Sequence, residues 1–420
     1  MFKIAGFLFC PFYYMVVSRT YLKEQKMKKK WLFTLSIVLL GVVMRSTFTT
    51  IPVVIDNVAH SFGLPVSQLG ILTTLPLLTF AIFSPTTSYF TRRFGMEKTL
   101  LVALLLVLFG SLLRVASASM LFVGTILVGS GIAFINVLLP ATLVKFTPNK
   151  IGAYTSLYST TMTLMTAIFQ IIAVPITKAF SWQMLVLFLS VIVFLVVVTW
   201  VLHMAINVDT SVNQRVHSVD NLPDQVHPWR NKYAWAMLVM AGIQSAVFYT
   251  SIAWVPTVAQ HTGLTATQSG WVIGVMSLIG IPASMWVPSF LERANYKQRV
   301  RFMTGATVLW LIAIIMMYNT QAGLVWWLIV TSFIGLGGTA VFVYMVTSYA
   351  IRTRNPLESS ALSGMAQTGG YLIAAGAPWA YGVLFAQLDS WFLQTTVMVI
   401  AILIFIGLMW FVERDQTIFE

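Results

Sequence analysis

Charge is what this chain has least of. Of its 420 residues only 9% are Asp, Glu, Lys or Arg, against about a quarter in an average soluble domain. A water-facing surface cannot be assembled from so few ionic groups, so most of the surface has to face lipid. Acid is scarcer than base: 12 Asp and Glu stand against 25 Lys and Arg, a net charge of +13. That excess does not point to nucleic acid. The basic residues fall in short loops between apolar runs, the positive-inside arrangement of a membrane protein. Cysteine is nearly missing, and the single Cys10 excludes an internal disulfide and a thiolate metal cluster. The histidines (His60, His203, His217, His227 and His261) are scattered. No H-E-x-x-H, paired-carboxylate or Ser/His/Asp arrangement is present. The sequence is therefore read as a non-enzyme with no metal site and no cofactor.

Hydrophobic residues make up 58% of the chain. A membrane span needs about 20 mostly apolar residues, and on that basis six spans lie near 31–55, 68–90, 99–117, 120–142, 151–175 and 182–205. Six more follow near 233–258, 268–290, 301–318, 325–349, 359–386 and 391–412. This predicts an all-α integral membrane protein of twelve transmembrane helices in two six-helix bundles, 27–205 and 233–420. The polar stretch 206–232 joins them. The apolar run from Ile4 to Val17 is short for a span and lacks signal-peptide flanks. Residues 1–26 are read as an extension upstream of Met27, with a surface-lying anchor as the alternative. One set of loops holds the Lys28–Lys30 cluster, Arg92, Arg93, Lys145, Lys150, Arg293, Arg352 and Arg414, and the other set only Arg114 and Lys178. That asymmetry predicts a cell-membrane protein with both termini and the 206–232 segment in the cytoplasm.

An internal repeat supports two halves. The segment 63–70 (GLPVSQLG) matches 263–270 (GLTATQSG), each position offset by the same 200 residues. Arg93 corresponds to Arg293, and Gly129 with Gly131 to Gly335 with Gly337. An even number of spans per half implies parallel repeats, related by an axis along the membrane normal. These glycines do not read as nucleotide loops, since none follows a strand in an α/β unit. Close helix packing in lipid explains them better.

Several stretches together resemble the major facilitator superfamily, and within it the branch of cyanate permeases and 2-nitroimidazole transporters. They are Leu72 to Pro76 running on to Ser84-Pro85 and Arg92-Arg93-Phe94-Gly95; Gly129 through Asn136 to Pro140; Tyr249 with Trp254-Val255-Pro256; and Leu362 through Gln367 to Tyr371. The resemblance spans 31–412. It implies a secondary transporter working by alternating access, functional as a monomer, with Arg92, Arg93 and Gly95 in a loop that changes with conformation. Two departures stand out. The superfamily loop carries an Asp where Arg92 stands here, so its carboxylate clasp does not carry over. The branch sets its first-span Arg in Asn-Leu-Arg, whereas here it is Val43-Met44-Arg45-Ser46.

Arg45 is the most informative residue. It falls near the middle of the first span, where an Arg costs about 2.5–3.5 kcal/mol on insertion scales. Snorkelling serves only near helix ends. Such a guanidinium is expected to face a cavity or a partner, and it suits an anion or a strongly dipolar solute. Holding helices together is the alternative role. Asn136, Tyr154, Tyr158, Gln244, Tyr249, Gln367 and Tyr371 are the further candidates for a substrate site. Gln367 and Tyr371, like Tyr154 and Tyr158, are four apart and share a helix face. Each could instead be a polar bridge between helices. The expected partners are the bilayer and a small solute that is anionic or strongly polar, with no nucleic acid. An exporter of neutral aromatic compounds and a non-transporting membrane receptor or scaffold are the competing functions.

Overall fold

The computed structural model describes residues 29–47, 50–64, 71–218, 227–319, 323–388, 390–414 and 417–419. The segment 1–26, with its two readings, lies outside the described residues, as does 219–226 of the polar connection. Among the described residues every regular element is helical.

Twelve spans follow in order. The first is Lys29–Thr47, continued by a 3-10 turn Ile51–Val54 and a short helix Ile55–Phe62. The second is made of Ile71–Phe83 and Thr87–Phe94, joined by a 3-10 turn at Ser84–Thr86. Pro85 lacks the N–H an unbroken α-helix would need there. Met96–Leu113, Ala118–Phe146, Ile151–Ala179 and Trp182–Ser218 complete the first six. The sixth helix thus runs a dozen residues past the start of the expected connection. The second six are Lys232–His261, the pair Ala266–Ile279 and Ile281–Arg293, Tyr296–Met316, Leu324–Ile351, Pro356–Leu388 and Phe392–Glu413.

Burial sorts these helices. In its most apolar window the fourth span is 72% buried, the tenth 61%, the first and seventh 56%, and the ninth only 28%. The first group therefore forms the centre and the ninth faces lipid. Exposed Phe109, Phe188, Phe194, Leu195, Ile400 and Leu403 give the third, sixth and twelfth spans an apolar outer face of the kind a bilayer solvates. One hydrophobic core is drawn from residues of the first six spans, around Leu100, Ile132 and Val196, and another from the last six, around Trp310, Val341 and Phe405. Tyr249, Phe342 and Tyr371 of the second set pack against the first core. That is where the bundles meet.

The 200-residue repeat has a structural counterpart. Gly63 and Gly263 both sit at positive φ, 63° and 98°, as helix-ending glycines do. Leu64 N–H donates to Ala59 and Leu264 N–H to Ala259, the same closing bond in both halves. The glycine pairs correspond as well. Gly129 lies against Pro76 and Thr79 of the second span while Gly131 lies against Ala103 of the third. Gly335 lies against Met276 of the eighth and Gly337 against Ala306 of the ninth. In each half a central helix is clamped between two neighbours at backbone-to-backbone distance.

The loop charges are less uniformly solvated than the sequence implied. Arg352 and Glu413 are almost fully enclosed and form an ion pair, Arg299 joins from 3.2 Å, and Tyr344 donates to the same carboxylate at 2.8 Å. Arg114, expected in an outer loop, is only 2% exposed. It donates to the carbonyl of Thr47 and to Thr125 Oγ1, tying the third span to the first and fourth. The last carbonyls of a helix have no intrahelical donor, and this guanidinium supplies one at the end of the first span. Arg114→Gln is expected to lower the melting temperature in detergent, because buried hydrogen bonds from a charged group are worth about 1.5–3 kcal/mol. Lys178→Gln, at an exposed position, should leave it unchanged.

Candidate functional site

At the junction of the bundles lies an enclosed cavity of about 60 Å³. Every central helix contributes. From the first half come Arg45 on the first span, Phe80 on the second, Asn136 on the fourth, and Tyr158 and Met162 on the fifth. From the second half come Gln244, Ser245 and Tyr249 on the seventh, Phe342 and Tyr349 on the tenth, and Gln367 and Tyr371 on the eleventh.

Arg45 crosses the boundary between the halves. Its Cζ stands 5.1 Å from the ring centre of Phe248 and 5.7 Å from that of Phe342, both on the opposite bundle. Cation–π contacts are worth about 0.5–2 kcal/mol each, more where water is excluded. They offset part of the cost of a charge inside a span.

Across the cavity, the fourth and eleventh spans are stitched together. Gln367 Nε2 donates to the carbonyl oxygen of Asn136 at 3.2 Å, and Asn136 Nδ2 to Tyr371 Oη at 3.5 Å. Ser363 donates to the carbonyl of Val137 at 3.0 Å. The Tyr371 ring packs 4.9 Å from that of Phe80. Seven of the eight candidates thus line one cavity: Arg45, Asn136, Tyr158, Gln244, Tyr249, Gln367 and Tyr371. Tyr154 is not among its lining residues. One turn from Tyr158, its hydroxyl pairs with Thr34 Oγ1 at 2.9 Å and its ring packs on Phe33, inside the first bundle.

Phe80, Phe248, Phe342 and Tyr349 were not among the sequence candidates. Phe342 and Tyr349 are seven apart, two turns on one face. On a helix as apolar as the tenth, the inward stripe does not differ in composition from the outward one.

One end of the interface, carrying most of the basic loops, is sealed. Glu292, in the last turn of the eighth span, accepts from the N–H of Ile151 and of Gly152 at 2.8 and 2.9 Å. Both belong to the first turn of the fifth span, where orphan N–H groups and the helix dipole favour an anion. Ser156 pairs with Ser289 and Thr160 with Ser284, each at 3.2 Å, so the contact runs inward for over two turns. Gly152 is obligatory here, since a Cβ would lie 2.3 Å from the carbonyl oxygen of Pro288. The sequence-predicted loop residues sit at the same end. Arg92 is exposed, Arg93 donates to Tyr89 Oη at 3.0 Å, and Gly95 turns the chain at φ 85°.

Comparison with known proteins agrees with this architecture. Residues 34–378 match the Major Facilitator Superfamily, and the chain belongs to that family of secondary transporters. It is 31% identical to the 2-nitroimidazole transporter of Escherichia coli K12 over 370 residues, 87% of this chain and 91% of the other. It is 29% identical to the uncharacterized transporter YycB of Bacillus subtilis, over 94% and 97% of the two chains. The cyanate transport protein CynX of Escherichia coli K12 is 23% identical, over 83% and 89%. Among solved structures, the proton:xylose symporter XylE superposes with a TM-score of 0.73 at 12% identity, over 90% of this chain and 95% of that one.

Proposed function

We propose that this protein carries a compact anionic or strongly polar solute across the cell membrane by alternating access, with the cavity between its halves as the binding site and both termini in the cytoplasm. The observation that carries the reading is Arg45, a guanidinium within the first span that lines the cavity and touches rings of the opposite bundle. A charge so placed has a use if a solute's acceptor atoms come to it. The volume of about 60 Å³ supports a solute of few atoms. Sites for drug-sized ligands run to roughly 300–1,000 Å³, which disfavours an exporter of large aromatic compounds. The names of the relatives bracket the chemistry, since cyanate is a small anion and 2-nitroimidazole a planar heterocycle with a nitro group.

Among the described residues no Asp or Glu lines the cavity. A monovalent anion entering against 100 mV would need about 2.3 kcal/mol, so export or exchange fits better than proton-driven uptake through a carboxylate in the site. Purified protein in liposomes loaded with cyanate or 2-nitroimidazole is expected to catalyse counterflow of the labelled solute. Saturable binding without flux would favour the receptor or scaffold reading instead.

A further inference from the structure

Building on that transport reading, we infer that the solute must bring a hydrogen-bond donor of its own, and that Gln367 is the residue selecting for it. The amide is oriented by its surroundings. Its Nε2 faces the main-chain carbonyl oxygen of Asn136, and a carbonyl can only accept. Turning the amide over would set two acceptor oxygens against each other. The turn before it is anchored in the same way, Ser363 donating to the next carbonyl, that of Val137, so the backbone carrying Gln367 is fixed against the fourth span.

With the nitrogen committed, the oxygen is left over. Gln367 Oε1 is buried and has no hydrogen-bond partner among the described residues. Buried acceptors are almost always paired, and an unpaired one weakens a complex by as much as a lost hydrogen bond. The other glutamine of the cavity is different, because Gln244 Oε1 already accepts from Ser245 Oγ at 3.3 Å. Of the two cavity glutamines, Gln367 is thus the one that calls for a donor. In the transport reading Arg45 takes the opposite group, since a guanidinium has five donors and no acceptor.

The two demands define a class of solute. It presents an acceptor edge to Arg45 (nitro, carboxylate or carbonyl) and an N–H or O–H to Gln367, on a compact frame that fits a cavity walled in part by Phe80 and Phe342. A planar N–H heterocycle with an acceptor substituent meets both demands. A bare inorganic anion meets only the first.

A matched pair of solutes tests this: 2-nitroimidazole, and 1-methyl-2-nitroimidazole, which lacks the N–H. Binding is measured by calorimetry on the purified full chain, with cyanate alongside. The wild type is expected to prefer the N–H compound by about tenfold or more, the factor for one buried hydrogen bond. In Gln367→Met the preference should fall below twofold, while Tyr158→Phe should weaken both solutes and keep their ratio. Equal binding of the pair by the wild type, a preference that survives Gln367→Met, tighter binding of cyanate than of either, or no binding of the pair at all would each overturn the inference. The wild-type comparison decides even if the Gln367 variant does not fold. Cyanate binding with flux would leave the transport reading standing without the donor requirement. An N–H preference without flux would do the reverse.

Discussion

Arg45→Gln is expected to weaken solute binding by roughly 10- to 100-fold while leaving the protein folded and of similar stability. The two halves of that expectation have separate physical sources. Hydrogen bonds from a charged donor to an acceptor are worth about 1.5–3 kcal/mol, and each 1.4 kcal/mol is a factor of ten in Kd. Glutamine keeps one donor but loses the charge and the fork. On the stability side, removing a guanidinium from a membrane span relieves an insertion cost that reaches about 2.5–3.5 kcal/mol at a helix centre. The contacts to Phe248 and Phe342 that it forfeits, at about 0.5–2 kcal/mol each, are of the same size, so the two effects largely cancel. A structural Arg would behave in the opposite way, its loss lowering the melting temperature with little change in Kd. Arg45→Lys separates charge from geometry, since the ammonium keeps the charge without the planar fork. Calorimetric Kd and the detergent melting temperature, read on all three proteins, are sufficient. A variant that binds as well as wild type but melts several degrees lower would remove Arg45 from the recognition scheme.

Much of this molecule could be read from its sequence, and the gaps have physical causes. Twelve spans were legible because span length and mean hydropathy are one-dimensional properties, and the two halves because GLPVSQLG and GLTATQSG sit 200 residues apart. Most of the cavity's polar residues were legible for a related reason: amides, phenols and a guanidinium stand out against an apolar helix. Phe80, Phe342 and Phe248 did not stand out, because a ring facing lipid and a ring facing the cavity or Arg45 have the same composition. Tyr154 shows the converse limit. Helical spacing put it on one face with Tyr158, but a face is longer than a cavity, and one turn was enough to pair it with Thr34. Arg114 counts among the loop charges in the sequence because it falls in the last residues of the expected span 99–117. Only the packing shows that it turns back to hold Thr47 and Thr125.

Glu292 was within reach of the sequence and carries the second large expectation. The family's loop signature has an acid at the place of Arg92, and the 200-residue offset maps Arg92 onto Glu292. The carboxylate missing from the first half therefore stands in the second, beside Arg293 as its counterpart would stand beside Arg93. Its oxygens take the N–H groups of Ile151 and Gly152, so it joins the bundles where they must part if this end is to open. Glu292→Gln can offer one acceptor to those two donors, and it turns an amide N–H₂ toward the other and loses the charge–dipole attraction. A loss of about 1.5–3 kcal/mol in the closed state alone multiplies the open-to-closed ratio at the basic end by roughly 10- to 100-fold. Spin labels at the exposed positions Asn149 and Lys297, after replacing the one native cysteine, Cys10, would report the separation. The distance distribution is expected to gain a longer component in Glu292→Gln and to remain short in Glu292→Asp, which keeps both acceptors and the charge. An unchanged distribution in Glu292→Gln would mean that the serine and threonine pairs further in, Ser156 with Ser289 and Thr160 with Ser284, hold the end shut by themselves.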